Sequence, residues 1–308
     1  MIKNLLSVVL VLLSMGAFAQ PPMRKAPINT INRKWLNLSY AHASASQQLD
    51  IYLPDTGKGP FPVIISIHGG GFMFGDKQDG QLIPMLAGLQ QGYAVVSINY
   101  RLSHEAIFPA QINDVKAAIR YIKANAATYQ LNKQKIALWG GSAGGHLAAL
   151  AGTTFSKKAL EDTTQGNASE NSAVQAVVDW FGPIHFGTMD AQFAASGKGN
   201  ANHSSASSPE SKLLGSPLAQ AANLVSQANA ANYINSQTPP FLIQHGKNDP
   251  MVPTEQSLYL YEQLLPVLGK DKVTLSLLDN AGHGGRAFET DANIQLVLQF
   301  LNKHLQTP

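Results

Sequence analysis

Short apolar runs alternate with longer amphipathic stretches from about residue 35 onward. One early segment alternates apolar and polar residues with a period of two, which predicts a half-buried strand. The later segments are apolar and rich in β-branched residues, as expected for strands buried on both faces. Together they are Leu49–Leu53, Val63–Ile67, Tyr93–Ile98, Ile136–Trp139, Val174–Trp180, Phe241–Gln244 and Val273–Leu278.

Helical patterns lie between these runs. In Asn113–Lys123, apolar residues recur at the i, i+3/i+4 spacing of a helix that packs one face on a sheet. His146–Ala151 continues directly from a strand as a helix, and Ile294–Leu305 is a terminal amphipathic helix. Strands that alternate with helices predict an α/β fold with a mainly parallel sheet and helices on both of its faces.

Residues 191–211 interrupt this alternation. They are rich in Ser, Ala, Asn and Gly and contain almost no side chain for a core. We therefore expect a loop-rich insert after the strand that ends at Trp180, within the limits 185–238. Two interpretations stay open: a lid over an active site, or a surface excursion without a role. No internal repeat or second domain boundary is visible, so residues 34–308 are expected to form a single domain.

The first residues have the pattern of a cleavable export signal. Lys3 supplies a positive charge, Leu5–Met15 is almost entirely apolar, and Ala17-Phe18-Ala19 has the small residues that precede a signal-peptidase cut. About a dozen apolar residues are too few to span a bilayer. We expect a signal peptide over residues 1–19, a secreted or periplasmic mature protein, and no stable membrane insertion. The Pro-rich segment 20–33 is expected to be a flexible arm.

Composition excludes some functions. The chain has no cysteine, so an exported form must be stabilised by its core rather than by disulfides. A net charge of +3, with no basic cluster, argues against nucleic acid as the main partner. The lack of cysteine, and of two histidines at helical ligand spacing, predicts no metal site and no need for a cofactor. The sequence does not predict the oligomeric state.

The first candidate catalytic motif is Gly140-Gly141-Ser142-Ala143-Gly144, which fits the pattern G-x-S-x-G. The glycines allow a sharp strand-to-helix turn that lifts the serine hydroxyl above the carboxyl edge of the sheet. The motif is short, but its position between a predicted strand and a predicted helix favours Ser142 as a nucleophile. The alternative is a glycine-rich turn that only packs the helix on the strand.

A second glycine-rich loop, His68-Gly69-Gly70-Gly71, follows an earlier predicted strand. Acyl transfer creates a negatively charged oxygen that needs preorganised N–H donors. The amides of Gly70, Gly71 and Ala143 are the candidates for this oxyanion hole. A phosphate-binding loop is excluded, because Asp76 stands where that motif requires lysine.

A serine nucleophile needs a base and an orienting acid, in the order Ser, Asp/Glu, His for this type of fold. His283 lies in a glycine-rich loop after the last predicted strand, and Asp249 follows the penultimate one. The rival acid is Asp179, and the alternative role of Asp249 is an Asx turn before Pro250. The other candidate histidines are less well placed, because they lie on helices or at a strand end: His146, His245 and His304.

With these residues placed, the chain resembles the α/β-hydrolase carboxylesterases of the bifunctional feruloyl and acetyl-xylan esterase type, which border the hormone-sensitive-lipase-like esterases. The resemblance covers most of the chain from about residue 35. It includes the segments around Gly70, Ser142 and Asp249, the segment Ser208–Gly215, and the His283 loop. It implies an eight-stranded sheet, the same triad, no cofactor, and hydrolysis of short or aromatic acyl esters on plant polysaccharide. Phe72 departs from the tryptophan that is frequent in such relatives.

The expected function is therefore serine ester hydrolysis, with acetyl or feruloyl groups on polysaccharide as substrates. Four aromatic residues near the site are candidates for an acyl slot, although core packing would explain each of them equally well: Phe72, Phe74, Trp180 and Phe186. The alternatives are a general short-chain or lipase-like esterase, a serine peptidase of the prolyl-oligopeptidase type, and a non-catalytic binding module. A peptidase of that type would have a large N-terminal propeller domain, which this sequence does not show. A non-catalytic binding module would normally have lost a triad residue, and none is missing here.

Overall fold

A computed structural model of the chain describes residues 24–155 and 157–306. Its centre is one eight-stranded sheet, in which only the first two pairings are antiparallel. The strands are β1 (Lys34–Ser39), β2 (Gln48–Tyr52), β3 (Phe61–Ile67), β4 (Ala94–Ile98), β5 (Leu131–Gly141), β6 (Ala176–Trp180), β7 (Phe241–Gly246) and β8 (Val273–Leu278), and they lie in the order β1-β2-β4-β3-β5-β6-β7-β8. The predicted α/β-hydrolase fold is confirmed.

The helices cover both faces of this sheet. They are α1 (Ile83–Leu86), α2 (Ala110–Ala124), α3 (Ala143–Thr154), α4 (Met189–Ser196), α5 (Pro209–Leu214), α6 (Ala222–Ala228), α7 (Glu255–Leu268), α8 (Arg286–Glu289) and α9 (Asp291–Leu301). Short 3-10 turns link several of them, and a π-helical turn, Asn302–Gln306, follows α9. Helices α2, α3 and α7 contribute to the core on one face, whereas α1, α8 and α9 contribute to the core on the other.

Alternation along the strands explains this division. Val63 and Ile65 of β3 point into one core, and Ile64 between them points into the other. In the same way, Leu138 and Trp139 of β5 belong to opposite cores. Because successive side chains of a strand leave opposite faces, strands covered on both sides are almost continuously apolar, and this is the pattern that predicted them.

The described part of the expected flexible arm is fastened to the body of the protein. The amide of Ala26 donates to the carbonyl of Gln78 at 2.9 Å, Lys25 forms a β-bridge with Asp79, and Ile28 is buried. Residues 24–33 therefore differ from the loosely held segment that their Pro-rich sequence indicates. The expected signal peptide, residues 1–19, lies outside the described residues.

The insert after β6 is more structured than its composition predicts. Helices α4 and α5 occupy the two ends of 191–211, and Phe193 is buried, with its ring stacked on His203 at a centroid distance of 5.7 Å. Asp190 accepts hydrogen bonds from the backbone amides of His203 and Ser204 at 2.7 and 2.9 Å. The buried ring of Phe193 and the hydrogen bonds accepted by Asp190 thus order a segment that has few apolar residues. A count of residue types does not detect such contacts.

Within the described residues, no helix combines the length and the apolar character that a membrane span requires.

The core makes a direct prediction about stability. Leu150 of α3 is fully buried, whereas 40% of the surface of Leu296 in α9 is exposed. Leu150→Ala leaves a cavity and should lower the free energy of unfolding by about 2–5 kcal/mol. Leu296→Ala is the matched helical control and should change it by no more than about 0.5 kcal/mol. Urea unfolding followed by fluorescence measures both changes, and equal losses would contradict this assignment of the core.

Candidate active site

The candidate residues meet at the carboxyl edge of the sheet because of the strand register. In the central strands, Gly140 of β5 pairs with Ile67 of β3 on one side and with Asp179 of β6 on the other. The loops that follow β3, β5 and β6 therefore leave the sheet side by side. Strands β7 and β8 end at the same edge, where their loops carry Asp249 and His283.

Ser142 occupies the sharp turn between β5 and α3. Its φ and ψ are 56° and −124°, a combination that is costly for any residue with a Cβ. The turn brings α3 very close to β3, since a Cβ on Gly144 would lie only 2.0 Å from the carbonyl oxygen of Ile67. Only glycine at position 144 permits this contact, so the glycines of the motif are required for steric reasons.

The structure brings Ser142, His283 and Asp249 into one hydrogen-bonded chain. His283 Nε2 lies 2.8 Å from Ser142 Oγ, and His283 Nδ1 lies 2.7 Å from Asp249 Oδ2. An ionised carboxylate can only accept, so Nδ1 carries the hydrogen and donates it to Asp249. Nε2 then accepts from the Ser142 hydroxyl, which is the arrangement in which the imidazole can take the serine proton.

Asp249 is buried but well supplied with donors. Its Oδ1 accepts from the amides of Met251 and Val252 at 2.8 and 2.9 Å, and its Oδ2 lies 3.2 Å from Nε2 of His245 as well as beside His283. Burial by itself raises the pKa of Asp249, but the hydrogen bonds from His245 and His283 outweigh it and hold the pKa well below the ordinary range. The carboxylate therefore stays ionised.

The residues of the candidate oxyanion donors line the same cavity as Ser142. Gly70 and Gly71 have φ values of 103° and 57°, and in the described part of the chain their amides donate to no other group. Ala143 is the first residue of α3, so its amide has no partner within the helix. The loop is held by Gln81, whose Oε1 accepts from the amide of Gly69 at 2.9 Å.

These groups open into a cavity of about 480 Å³, a size typical of small-molecule sites. Three of the four aromatic candidates line it: Phe72, Phe74 and Trp180. Phe72 and Trp180 are almost fully buried, whereas Phe74 is 53% exposed at the rim. Trp180 is fixed by its Nε1–H, which donates to Gln244 Oε1 at 2.6 Å.

The assignment of Phe186 to the cavity wall is wrong. Its side chain is buried and packs against His146 and Phe72, with ring centroids 4.9 and 6.3 Å apart, and it does not line the cavity. Phe186 is the first residue of the 3-10 turn Phe186–Thr188, and this turn directs its side chain into the core. Proximity to β6 along the sequence could not reveal that direction.

Other residues that line the cavity were not identified from the sequence. Phe181, next to Trp180, faces the ring of His283 with centroids 4.7 Å apart and also packs on Phe288. His203 and Glu210 enter the cavity wall from the insert. Phe181 could have been suspected from its neighbour, and Glu210 from the resembling segment Ser208–Gly215, but no motif in the sequence placed either insert residue in the cavity wall.

The competing histidines have other partners. His146 donates its Nδ1–H to the carbonyl of Pro183 at 2.8 Å, and burial lowers its pKa to about 4, so it remains neutral. His245 contacts the hydroxyl of Ser257 and the carbonyl of Val252, beside Asp249. His304 packs against Phe300 in the last turn of the chain. Among the residues that the structure describes, no group of three His, Cys, Asp or Glu side chains is arranged to hold a metal ion.

Asp179, the rival acid, does not contact His283. Its Oδ1 accepts from the amide of Gly182 at 3.0 Å, and its Oδ2 has no hydrogen-bond partner among the described residues. Burial raises the pKa of Asp179 to about 7, only partly opposed by the hydrogen bond from Gly182. A carboxyl group that still binds a proton below about pH 7 is poorly suited to stabilise an imidazolium ion.

Comparison with known proteins places this geometry in context. The BD-FAE family model matches residues 49–264. The esterase LipQ of Mycobacterium tuberculosis is 32% identical over 262 residues, which cover 84% of this chain and 58% of LipQ. The chain spans about half the length of the curated relatives it matches.

Two solved structures extend the similarity to the fold. A truncated form of a carbohydrate esterase from gut microbiota is 32% identical, with a TM-score of 0.81 over 92% of this chain and all of that one. The bifunctional GH43-CE of Bacteroides eggerthii is 35% identical, with a TM-score of 0.77 over 88% of this chain and 35% of that one. The arrangement of the eight strands is therefore shared with proteins described as esterases.

Asp179 gives a prediction about pH. Between about pH 4 and pH 7 its carboxyl binds a proton in the folded protein but not in the unfolded chain, so this group lowers stability as the pH rises through that window. Asp179→Asn removes the titration. The compared quantity is the melting temperature of Asp179→Asn minus that of the parent protein. We expect this difference to be several degrees more positive at pH 8 than at pH 5.

Asp271→Asn, at an exposed position before β8, is the matched control. Thermal unfolding of all three proteins at both pH values measures the effect. A difference between Asp179→Asn and the parent that does not change with pH would show that Asp179 titrates as it does in the unfolded chain.

Proposed function

The chain belongs to the BD-FAE family of α/β-hydrolase carboxylesterases, and we propose that it is a serine hydrolase of carboxylic esters with short or aromatic acyl groups. The observation that carries this proposal is the continuous chain from Ser142 through His283 to Asp249, with contacts of 2.8 and 2.7 Å. The likeness to LipQ and to the carbohydrate esterase supports the same class of reaction.

In the first step, Ser142 Oγ attacks the ester carbonyl carbon while its proton passes to His283 Nε2. The carbonyl oxygen becomes an oxyanion, which the amides of Gly70, Gly71 and Ala143 stabilise by hydrogen bonding. The bond to the alcohol oxygen then breaks, and His283 gives its proton to the departing alkoxide. An acyl-enzyme and a free alcohol result.

In the second step, a water molecule attacks the acyl carbon and gives a proton to His283. The tetrahedral intermediate collapses, Ser142 Oγ leaves and recovers the proton, and the carboxylic acid departs. Asp249 keeps its charge throughout, and it stabilises the imidazolium form of His283 in both steps. Its low pKa, maintained by donors that include His245, is what permits this role.

The acyl group is proposed to be acetyl or feruloyl, carried on plant polysaccharide. The aromatic side chains that line the cavity support this substrate class, because they offer ring faces and edges to a planar acyl group: Phe72, Phe74, Trp180, Phe181 and Phe288. The export expected from residues 1–19 belongs to the same proposal, since polysaccharide is met outside the cell membrane.

The role of Ser142 is tested by Ser142→Ala. Without the nucleophile, hydrolysis of p-nitrophenyl acetate or methyl ferulate should fall at least about a thousandfold, and a fluorophosphonate probe should no longer label the protein. Ser276→Ala, on the outer strand β8, is the matched control and should keep both properties. Circular dichroism checks that the variants are folded, and full activity in a folded Ser142→Ala protein would reject the mechanism.

The substrate class is tested by a panel of esters and one amide. We expect higher kcat/KM for acetylated xylan or methyl ferulate than for p-nitrophenyl palmitate, because the aromatic side chains that line the cavity suit a compact or planar acyl group better than a long flexible one. Preference for the palmitate would indicate a lipase-like enzyme. Cleavage of a prolyl peptide amide at rates comparable to those of the esters would indicate a peptidase.

A further inference from the structure

Glu210 places a carboxyl group in the wall of the active-site cavity, although the proposed reaction does not use it. It lies in the first turn of α5, only 4% of its surface is exposed, and it lines the cavity together with Ser142 and His283. Few polar side chains line this otherwise apolar space. A buried acidic group there has a desolvation cost that its surroundings must offset.

The partners of Glu210 offset this cost only in part. Its Oε1 lies 3.1 Å from Nδ1 of His203, whereas its Oε2 has no hydrogen-bond partner among the described residues. Nearly all buried polar atoms in proteins have a partner, so an unsatisfied carboxyl group on a side chain that lines the cavity indicates a place for a donor from the ligand.

The pair is held rigidly. His203 stacks on Phe193, and its backbone amide is bound by Asp190. Burial lowers the pKa of His203, but the neighbouring carboxylates of Glu210 and Asp190 outweigh it, so the net shift is upward. The imidazole beside Oε1 orients the carboxyl group of Glu210.

Glu210 is also close to the reacting centre. The side chain of its neighbour Pro209 lies 3.2 Å from the position that a Cβ on Gly71 would occupy. The start of α5 therefore packs directly on the loop that carries the candidate oxyanion donors. A group bound by Glu210 would belong to the part of the substrate nearest the ester bond.

An oxygen of a carboxylate accepts hydrogen bonds, so a ligand that binds it must present a donor. In an ester of a carbohydrate, the hydroxyls next to the esterified oxygen are such donors. We infer that Glu210, oriented by His203, accepts a hydrogen bond from a sugar hydroxyl on the alcohol side of the ester, and so selects esters of carbohydrates over esters of simple alcohols. This inference rests on the proposed ester hydrolysis.

The test compares two esters that share an acyl group: methyl ferulate and feruloyl-arabinofuranose, or methyl acetate and an acetylated xyloside if only acetyl esters are cleaved. The measured quantity is the ratio of kcat/KM for the sugar ester to that for the methyl ester. Glu210→Gln keeps the size of the side chain but removes its charge. It should lower the ratio on the order of tenfold, the effect of losing a hydrogen bond to a charged group.

Two further variants complete the experiment. Glu262→Gln, at an exposed position of α7, is the matched control and should leave the ratio unchanged. Glu210→Asp keeps the charge but withdraws it by one methylene; it should lower the ratio less than Glu210→Gln does, and it carries the test if the glutamine variant does not fold.

The outcomes distinguish a failure of the proposed role of Glu210 from a failure of the proposed ester hydrolysis. A ratio that stays at the parental value in a folded Glu210 variant overturns the role of Glu210, even if both esters are cleaved. Equal losses on both esters also overturn it, because they would make Glu210 a structural support of the site. No cleavage of any ester by the parent protein would instead refute the proposed function.

Discussion

The close packing of helix α3 against the carboxyl ends of the central strands is the constraint on which the site depends. Gly144 meets the backbone of Ile67, and a Cβ on Gly145 would lie 2.3 Å from Asp179 Oδ1. This contact forces the chain to turn at Ser142 with a positive φ, and the turn is fixed by the hydrogen bond from the Ser142 amide to the carbonyl of Trp180 at 2.9 Å. The hydroxyl of Ser142 and the amide of Ala143 are therefore in place at the cavity before any substrate binds.

The loops around this turn are held by separate hydrogen-bond networks. Gln81 fastens the glycine loop after β3. Gln244 of β7 accepts from Trp180 and donates to Asn293 of α9, which ties the cavity wall to the C-terminal helix. His245, the next residue of β7, supports Asp249. The glycine loop, the cavity wall and Asp249 are thus each held in place by a second residue, as electrostatic preorganisation requires.

Much of the sheet could be predicted because buried parallel strands have a strong apolar signal, and the triad because its motifs follow those strands directly. Strand β1 was missed, since its residues are mostly half-buried or exposed at the sheet edge. The helix α7 was also missed, although its neighbour β8 was found. The wall contributed by His203 and Glu210 depends on how the insert folds back over the site. Phe186 was misplaced for the same reason, because tertiary packing sets the direction of its side chain.

Two buried aspartates at neighbouring strand ends show how environment selects a function for one residue type. Asp179 receives a single backbone hydrogen bond, and burial raises its pKa to about 7. Asp249 is buried to a similar degree, yet two amides and two imidazoles surround its oxygens and its pKa is lowered. Burial is common to both, so the number and charge of the donors decides which carboxylate stays ionised. Glu210 presents a third arrangement, with an imidazole beside one oxygen and no donor to the other, and this arrangement suits recognition of a hydroxyl better than support of a base.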